Sequence, residues 1–468
     1  MKIITGCLVL LGVIAGCATQ TPGRDDPADF DAYADAVDRI AERAISEGGI
    51  VGLSIAIARG DEIVYAKGFG HVDADASIPA NAETIYDIAS VGKQFTAAAI
   101  MKLVERGDLS LGTPVRELIP ELPANFPNPT IEQLLRHTSG FIEVDLDELK
   151  PPEDASDKRY GLELLTDASL VGGQTHFRPG ETWVYCNPGY LILGIVVEVV
   201  SGSRYDDFIR EELLSPVGLT DMRVCERAEF PRMSQALRRT ESGVDEVPFI
   251  DMTYYTGQGS VCSSATDLVR WGLALKNGEI ITPESLALMR SHTELRGDED
   301  SALVPYGFAQ RMGRLEGHAR VGHSGTFDGG SAILFEYPDD DLTIAVIANT
   351  RGLGVPHAAR IETDITKAIL GIASPDPRSL EMPLTEEAKR RIRGTYFNGK
   401  TFTADFEGND LVVSSGGKQL ERLVHVGSMR FRNAESPDTF EWFHTDGDRA
   451  GWWVYSESGN FLEVLRRR

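Results

Sequence analysis

At 468 residues and 42% hydrophobic content, the chain is too long for one small domain and apolar enough for at least one large core, so two or three domains are expected. Its formal net charge of −25 excludes a general nucleic-acid binder, and the acids are dispersed as on a solvated surface rather than gathered into a tail. The five cysteines form no C-x-x-C pair and no His-rich spacing accompanies them, so neither a metal site nor an organic cofactor is expected.

Residues 1–16 read as an export signal, with Lys2 ahead of an apolar stretch from Leu8 to Gly16 that is too short to span a bilayer. Residues 17–29 follow as a tether. Apolar residues Phe30, Tyr33, Ala34, Val37, Ile40, Ala41, Ala44 and Ile45 then recur at helical spacing and predict an amphipathic helix. Gly52 to Ala58 and Glu62 to Phe69 read as two strands around an Arg59-Gly60-Asp61 hairpin. Next, a short strand gives way to an Ala-rich helix, Gln94 to Val104, with Ser90-Val91-Gly92-Lys93 at the junction. The middle third, punctuated by Pro120, Pro123, Pro127 and Pro129 and followed by Leu134 to Phe141, alternates helical pieces with loops and reads as a mainly helical insertion. Tyr190 to Val200 reads as a buried helix stopped at Ser201-Gly202, and Thr266 to Leu275 as another stopped at Lys276-Asn277-Gly278. Three strands follow, Arg320 to Gly325, Ser331 to Tyr337 and Leu342 to Ala348, the last two joined by an acidic turn at Pro338 to Asp341. With the two early strands they predict a five-stranded antiparallel sheet, built from both ends of one α+β domain over residues 30–375. Residues 376–393 read as a linker, and 394–468 as a small C-terminal all-β domain or barrel whose core includes Trp442, Trp452 and Trp453.

The Ser90/Lys93 pair carries the chemistry. Residues three apart on a helix share a face, so the amine reaches the hydroxyl, and the unpaired N–H groups of the helix start favour negative charge on the serine oxygen. Ser415-Gly416-Gly417-Lys418 repeats the spacing, but its two glycines after a strand-like run read as a hairpin turn. Two further groups stand out: Tyr185-Cys186-Asn187, whose tyrosine and asparagine can face one cleft, and His323-Ser324-Gly325 on a strand. His137, His176, His292 and His318 read as structural or surface groups, and Thr138-Ser139-Gly140 as a turn shaping the cleft floor. Cys186 is not read as a nucleophile, since Ser90 already has its lysine. In an oxidising envelope Cys225 and Cys262 can pair with one thiol of the three left over, and the pairing stays open.

Ser-x-x-Lys, Tyr-x-Asn and His-x-Gly in this order resemble the serine β-lactamase and penicillin-binding protein superfamily, specifically its class C-like serine hydrolases, over about residues 35 to 370. The His137-Thr138-Ser139-Gly140 segment and the Gly189 to Gly194 run match in order as well. The resemblance implies a β-lactamase/transpeptidase-like fold, Ser90 as nucleophile, Lys93 and Tyr185 sharing proton transfer, and Asn187 orienting Lys93 and the substrate amide. It also implies His323, Ser324, Gly325 and Thr326 on the substrate and oxyanion side, with the N–H groups of Ser90 and Thr326 as the oxyanion donors. His323 departs from the usual lysine of β-lactamases. A mostly neutral imidazole suits a substrate carboxylate poorly, which favours small-molecule or peptide amides, as in D-peptidases and D-aminopeptidases, with weak β-lactam hydrolysis. An esterase of the same fold is the nearest alternative; a non-catalytic penicillin-binding or scaffold lipoprotein is one of another class. Arg351 is a candidate for meeting a substrate carboxylate. Ile14-Ala15-Gly16-Cys17 is similar to the lipobox of bacterial lipoproteins, which implies a lipid on Cys17, a membrane partner, and, with Ala18 following, the periplasmic face of the outer membrane.

Overall fold

The computed structural model describes residues 31–141, 177–225, 232–248, 256–259, 261–296, 301–373, 381–397, 401–427, 430–433, 439–446, 449–456 and 461–467. The export signal, the lipobox with Cys17, the tether and His176 lie outside them, as does the Asp376-Pro377 boundary.

The elements that build the site are, in chain order, helix α1 (Asp31–Ser46), strands β1 (Gly52–Arg59), β2 (Glu62–Gly70) and β3 (Tyr86–Asp87), helices α2 (Lys93–Arg106) and α3 (Asn187–Ser201), strands β4 (Arg223–Val224) and β5 (Val261–Ser263), helix α4 (Ala265–Lys276), strands β6 (Arg311–Leu315), β7 (His318–Phe327), β8 (Gly330–Tyr337) and β9 (Leu342–Ala348), and helix α5 (Ala358–Ile369). The main sheet runs β6-β7-β8-β9-β1-β2 and is antiparallel throughout. It has six strands where the sequence predicts five. The additional strand, β6, lies at the edge and carries two arginines and a glycine among its five residues, so it lacks the apolar alternation that marks a strand in sequence.

The inner strands are apolar on both faces because both are covered. Leu53, Ile55 and Ile57 of β1, with Ile344 and Val346 of β9, pack under α1 and α5. Ala56 and Ala58, on the opposite face, meet the larger core that includes Val91, Phe95 and Trp271. Phe95 of α2 stacks on Trp271 of α4, with ring centroids 3.9 Å apart. Small residues on this face let the helices approach the sheet.

Helix α3 ends at Gly202, whose φ of 72° is the left-handed stop that glycine supplies without strain. Cys225 and Cys262 form a disulfide across the pairing of β4 with β5, and the remaining described cysteine, Cys186, is a buried thiol. From Gly394 to Arg467 eight antiparallel strands close into a barrel, which leaves no open sheet edge. Ser415-Gly416-Gly417-Lys418 is one of its hairpins, joining Asp410–Ser415 to Lys418–Gly427.

Candidate active site

Ser90 sits in a single 3₁₀ turn, Ala89–Gly92, that opens directly into α2. Two features bend the chain there. The Ala89 N–H donates to Asp87 Oδ1 at 2.7 Å, and Ala89 itself is held at φ 46°, a left-handed conformation that costs an alanine of order 1–2 kcal/mol. The turn is also clasped between two glycines. A Cβ on Gly259 would stand 2.8 Å from the Ala89 carbonyl carbon and oxygen. A Cβ on Gly325 would stand 2.1 Å from the Ile88 oxygen and 3.0 Å from the Ser90 nitrogen. The glycine of His-x-Gly is thus what lets β7 lie against the Ser90 turn.

Lys93, one helical turn on, is wholly buried. Its Nζ is 3.1 Å from Ser90 Oγ and 2.7 Å from Asn187 Oδ1, and it also contacts the Gln258 carbonyl oxygen. Two of these partners are carbonyl oxygens, which only accept. They fix two N–H bonds of the amine, and its third tetrahedral position faces Ser90. That position holds an N–H in the ammonium and a lone pair in the amine, so the geometry allows a proton to move between serine and lysine without any other bond changing. Gln258 is held in turn by the neighbouring Gly257, whose carbonyl accepts the Thr96 hydroxyl of α2 at 2.7 Å.

Asn187 is the first residue of α3 rather than part of a loop, and Tyr185 precedes it by two. Two basic side chains approach the Tyr185 ring, with Lys93 Nζ 5.0 Å and the Arg311 guanidinium 5.3 Å from its centroid. Its hydroxyl is buried and finds no hydrogen-bond partner among the described residues. Ser90, Lys93, Tyr185 and Asn187 are therefore brought together as the resemblance implies, and Ser324 and Gly325 line up on β7 beside them. Thr326 follows, exposed, with its hydroxyl 2.7 Å from His357 Nε2 at the head of α5.

His323 is placed otherwise. It is fully buried behind the site, its Nε2 3.0 Å from the Tyr306 hydroxyl and its Nδ1 2.7 Å from the Ser324 carbonyl oxygen. Burial first, then the nearby Arg311 and Lys93 charges, hold its imidazole well below the usual histidine range, so it is neutral. The resemblance implies His323 on the substrate side; here the ring is buried and both its nitrogens are bonded inside the fold, to Tyr306 and Ser324. His137 is also structural. It is buried at φ 57°, kept neutral by burial and by Lys93 and Arg311, with Nε2 3.0 Å from the same Tyr306 hydroxyl. Arg351 is half-buried on the short strand Thr350–Gly352, beside His357.

Sequence reasoning missed Gln258, Tyr306 and Arg311. Gln258 acts through its backbone carbonyl, which no side-chain pattern announces, although the glycines on either side mark a close approach. Tyr306 and Arg311 belong to no motif weighed in the sequence.

A serine and a buried lysine at the mouth of a helix, a tyrosine and asparagine from a second helix start, and a glycine-bearing strand behind them define the serine hydrolases of the β-lactamase and penicillin-binding protein class. Residues 37–366 match the β-lactamase family, and the chain belongs to it. It is 29% identical over 318 residues to penicillin-binding protein 4* of Bacillus subtilis (strain 168), which covers 63% of this chain and 67% of that protein. The match spans about two thirds or slightly less of the length of its curated relatives, 67% here and 64% for protein flp of Staphylococcus aureus (strain N315). Among solved structures, the octameric penicillin-binding protein homologue from Pyrococcus abyssi superposes with a TM-score of 0.64 at 23% identity, covering 92% of this chain and 99% of that one. The D-amino acid amidase from Ochrobactrum anthropi SV3 complexed with D-phenylalanine gives 0.63 at 21% identity, covering 73% of this chain and 100% of that one. At these identities the likeness is one of fold.

Proposed function

We propose that the protein is a serine hydrolase that cleaves amide or peptide bonds through an acyl-enzyme, in the manner of D-peptidases and D-aminopeptidases. The observation that carries this reading is the Lys93 amine, anchored by two carbonyl oxygens and turned towards Ser90 Oγ at 3.1 Å. Ser90 Oγ attacks the substrate carbonyl as its proton moves to Lys93 or Tyr185, and the N–H groups of Ser90 and Thr326 take the developing oxyanion. The proton returns to the leaving amine, and water then releases the acyl group by the same steps in reverse order.

One observation favours amides without a free carboxylate over β-lactams: the buried, neutral His323 supplies no cation at the strand. We further propose that Cys17 carries a lipid that tethers the protein to the membrane, on the strength of the Ile14-Ala15-Gly16-Cys17 sequence. Labelling of the wild type by a lipid precursor, absent in Cys17→Ser, tests that tether.

The test of function is intact-protein mass over time with a fluorophosphonate and, separately, a penicillin, beside Ser90→Ala. An adduct on the wild type alone supports an activated serine, and no adduct with either reagent overturns the proposal in favour of a non-catalytic lipoprotein. Rates on a matched D-amino-acid amide and ester then decide the substrate class, a strong preference for the ester pointing to an esterase.

A further inference from the structure

Four hydrogen bonds run in one line behind the catalytic groups. The Cys186 N–H is 3.1 Å from His137 Nδ1, His137 Nε2 is 3.0 Å from the Tyr306 hydroxyl, that hydroxyl is 3.0 Å from His323 Nε2, and His323 Nδ1 is 2.7 Å from the Ser324 oxygen. All three side chains are buried. The two ends of the line fix every proton in it. An amide N–H only donates, so His137 Nδ1 is bare and its proton sits on Nε2. A carbonyl only accepts, so His323 carries its proton on Nδ1 and its Nε2 is bare. Tyr306 therefore accepts from His137 and donates to His323, and every hydrogen bond of the row runs in the same direction.

The ends belong to the two motifs that must cooperate. Cys186 lies between Tyr185 and Asn187; Ser324 lies between His323 and Gly325, two residues before Thr326, whose N–H is the proposed oxyanion donor. We propose that His137, Tyr306 and His323 form a positioning relay that sets the spacing between the Tyr185/Asn187 helix start and the oxyanion strand, working only while both imidazoles are neutral and of opposite tautomer. The inference rests on Ser90 as the nucleophile for its kinetic consequence, but not for its structural one.

Protonating either imidazole turns an acceptor nitrogen into a donor facing another donor, the Cys186 N–H or the Tyr306 O–H, and splits the row. The charged and titratable groups packed around it are Lys93 on α2, Tyr185 and Tyr190 on the second helix start, and Arg311 and Tyr306 on the strand side. Both cations oppose a further positive charge. The relay therefore fails on acidification, and acylation falls with it.

Two measurements test this. In the wild type, ¹⁵N-histidine NMR at pH 7.5 is expected to show His137 as the Nε2–H and His323 as the Nδ1–H tautomer; a shared tautomer, or a charged ring at either site, overturns the relay whatever the turnover. In kinetics with a fluorophosphonate, Tyr306→Phe and His323→Asn each break the row from one side, and each is expected to slow acylation about 10- to 100-fold, with the acid limb of the pH profile displaced. Because the row acts as a unit, the double variant should cost no more than the worse single one. Costs that multiply, or singles that acylate at the wild-type rate with an unchanged pH profile, overturn the positioning role. If the wild type shows opposite tautomers but no adduct at Ser90, the proposed function fails and the relay stands as structure alone.

Discussion

Replacing Gly325 with alanine isolates the contact between strand and nucleophile. The added Cβ would lie 2.1 Å from the Ile88 oxygen, 3.0 Å from the Ser90 nitrogen and 3.1 Å from the Ala89 Cβ. An sp³ carbon approaches a carbonyl oxygen to a little over 3 Å, so the gap must open by about 1 Å. Neither side yields easily. On the strand, Gly322 already sits so close to the next strand that its own Cβ would be 2.0 Å from the Leu334 oxygen, and on the turn, Gly259 backs Ala89. A displacement of about 1 Å between nucleophile and oxyanion donors costs roughly 10² in rate, or about 2.7 kcal/mol of barrier, while overpacking costs about 1–3 kcal/mol of stability. The variant should therefore remain folded at 25 °C and acylate with a fluorophosphonate about a hundredfold more slowly. A folded Gly325→Ala, shown by circular dichroism and a cooperative melt, that acylates at the wild-type rate would refute the claim that this glycine sets the site.

Lys93→Arg is expected to lose about 10²–10⁴ in acylation rate, because a guanidinium gives up no proton and cannot occupy the three-acceptor socket; wild-type kinetics would rule out lysine as proton carrier. His137 and His323 titrate near 6.5 once unfolded but stay neutral in the fold. The unfolded chain thus binds more protons below that pH, so their contribution is fully present above about 6.5 and is lost on acidification; urea denaturation from pH 8 to 5 that shows no fall in stability would contradict this. Glu362 behaves oppositely. Burial raises its carboxyl above the usual 4.5 although Tyr337 and Thr366 donate to it at 2.6 and 2.9 Å. Its contribution is present below about 4.5 and lost as pH rises through its folded value, so Glu362→Gln should gain on the wild type from pH 4.5 to 8, and a pH-independent difference would count against it. The Cys225–Cys262 bridge closes a 37-residue separation, which corresponds to about 4 kcal/mol of unfolded-chain entropy. Reduction should lower unfolding free energy by that order, and an unchanged denaturation curve in reductant would argue that the bridge constrains nothing.

The parts of the candidate site legible in sequence were those whose side chains stand at short, regular spacing. Ser90 and Lys93 could be read from one helical turn, and Tyr185 and Asn187 from their flanks. Strands β1 and β9 were visible because, covered on both faces, they are nearly continuous apolar runs. Edge strand β6 was not, since Gly313 and Arg314 face solvent and Arg311, buried against the Tyr185 ring, breaks the apolar pattern. His323 was visible as a residue but not as an orientation: alternation puts it on one face of β7, and only the position of Tyr306, seventeen residues upstream, decides that this face is buried. Backbone groups such as the Gln258 carbonyl leave no mark in sequence.

The main sheet has a temporal consequence. Its pairing of Leu53 with Ala348 joins segments separated by most of the domain, and Ser90 meets Gly325 only through that closure. Contacts so distant in sequence make folding slow, because loop entropy is lost before the pairing rewards it. A chain emerging N-terminus first holds β1 and β2 as an unpaired apolar edge until β9 has appeared, a period in which aggregation competes and a chaperone would find its target. The same order bears on the proposed activity: Ser90 is made early, but the strand carrying Gly325 is not held beside it until about three quarters of the chain is complete.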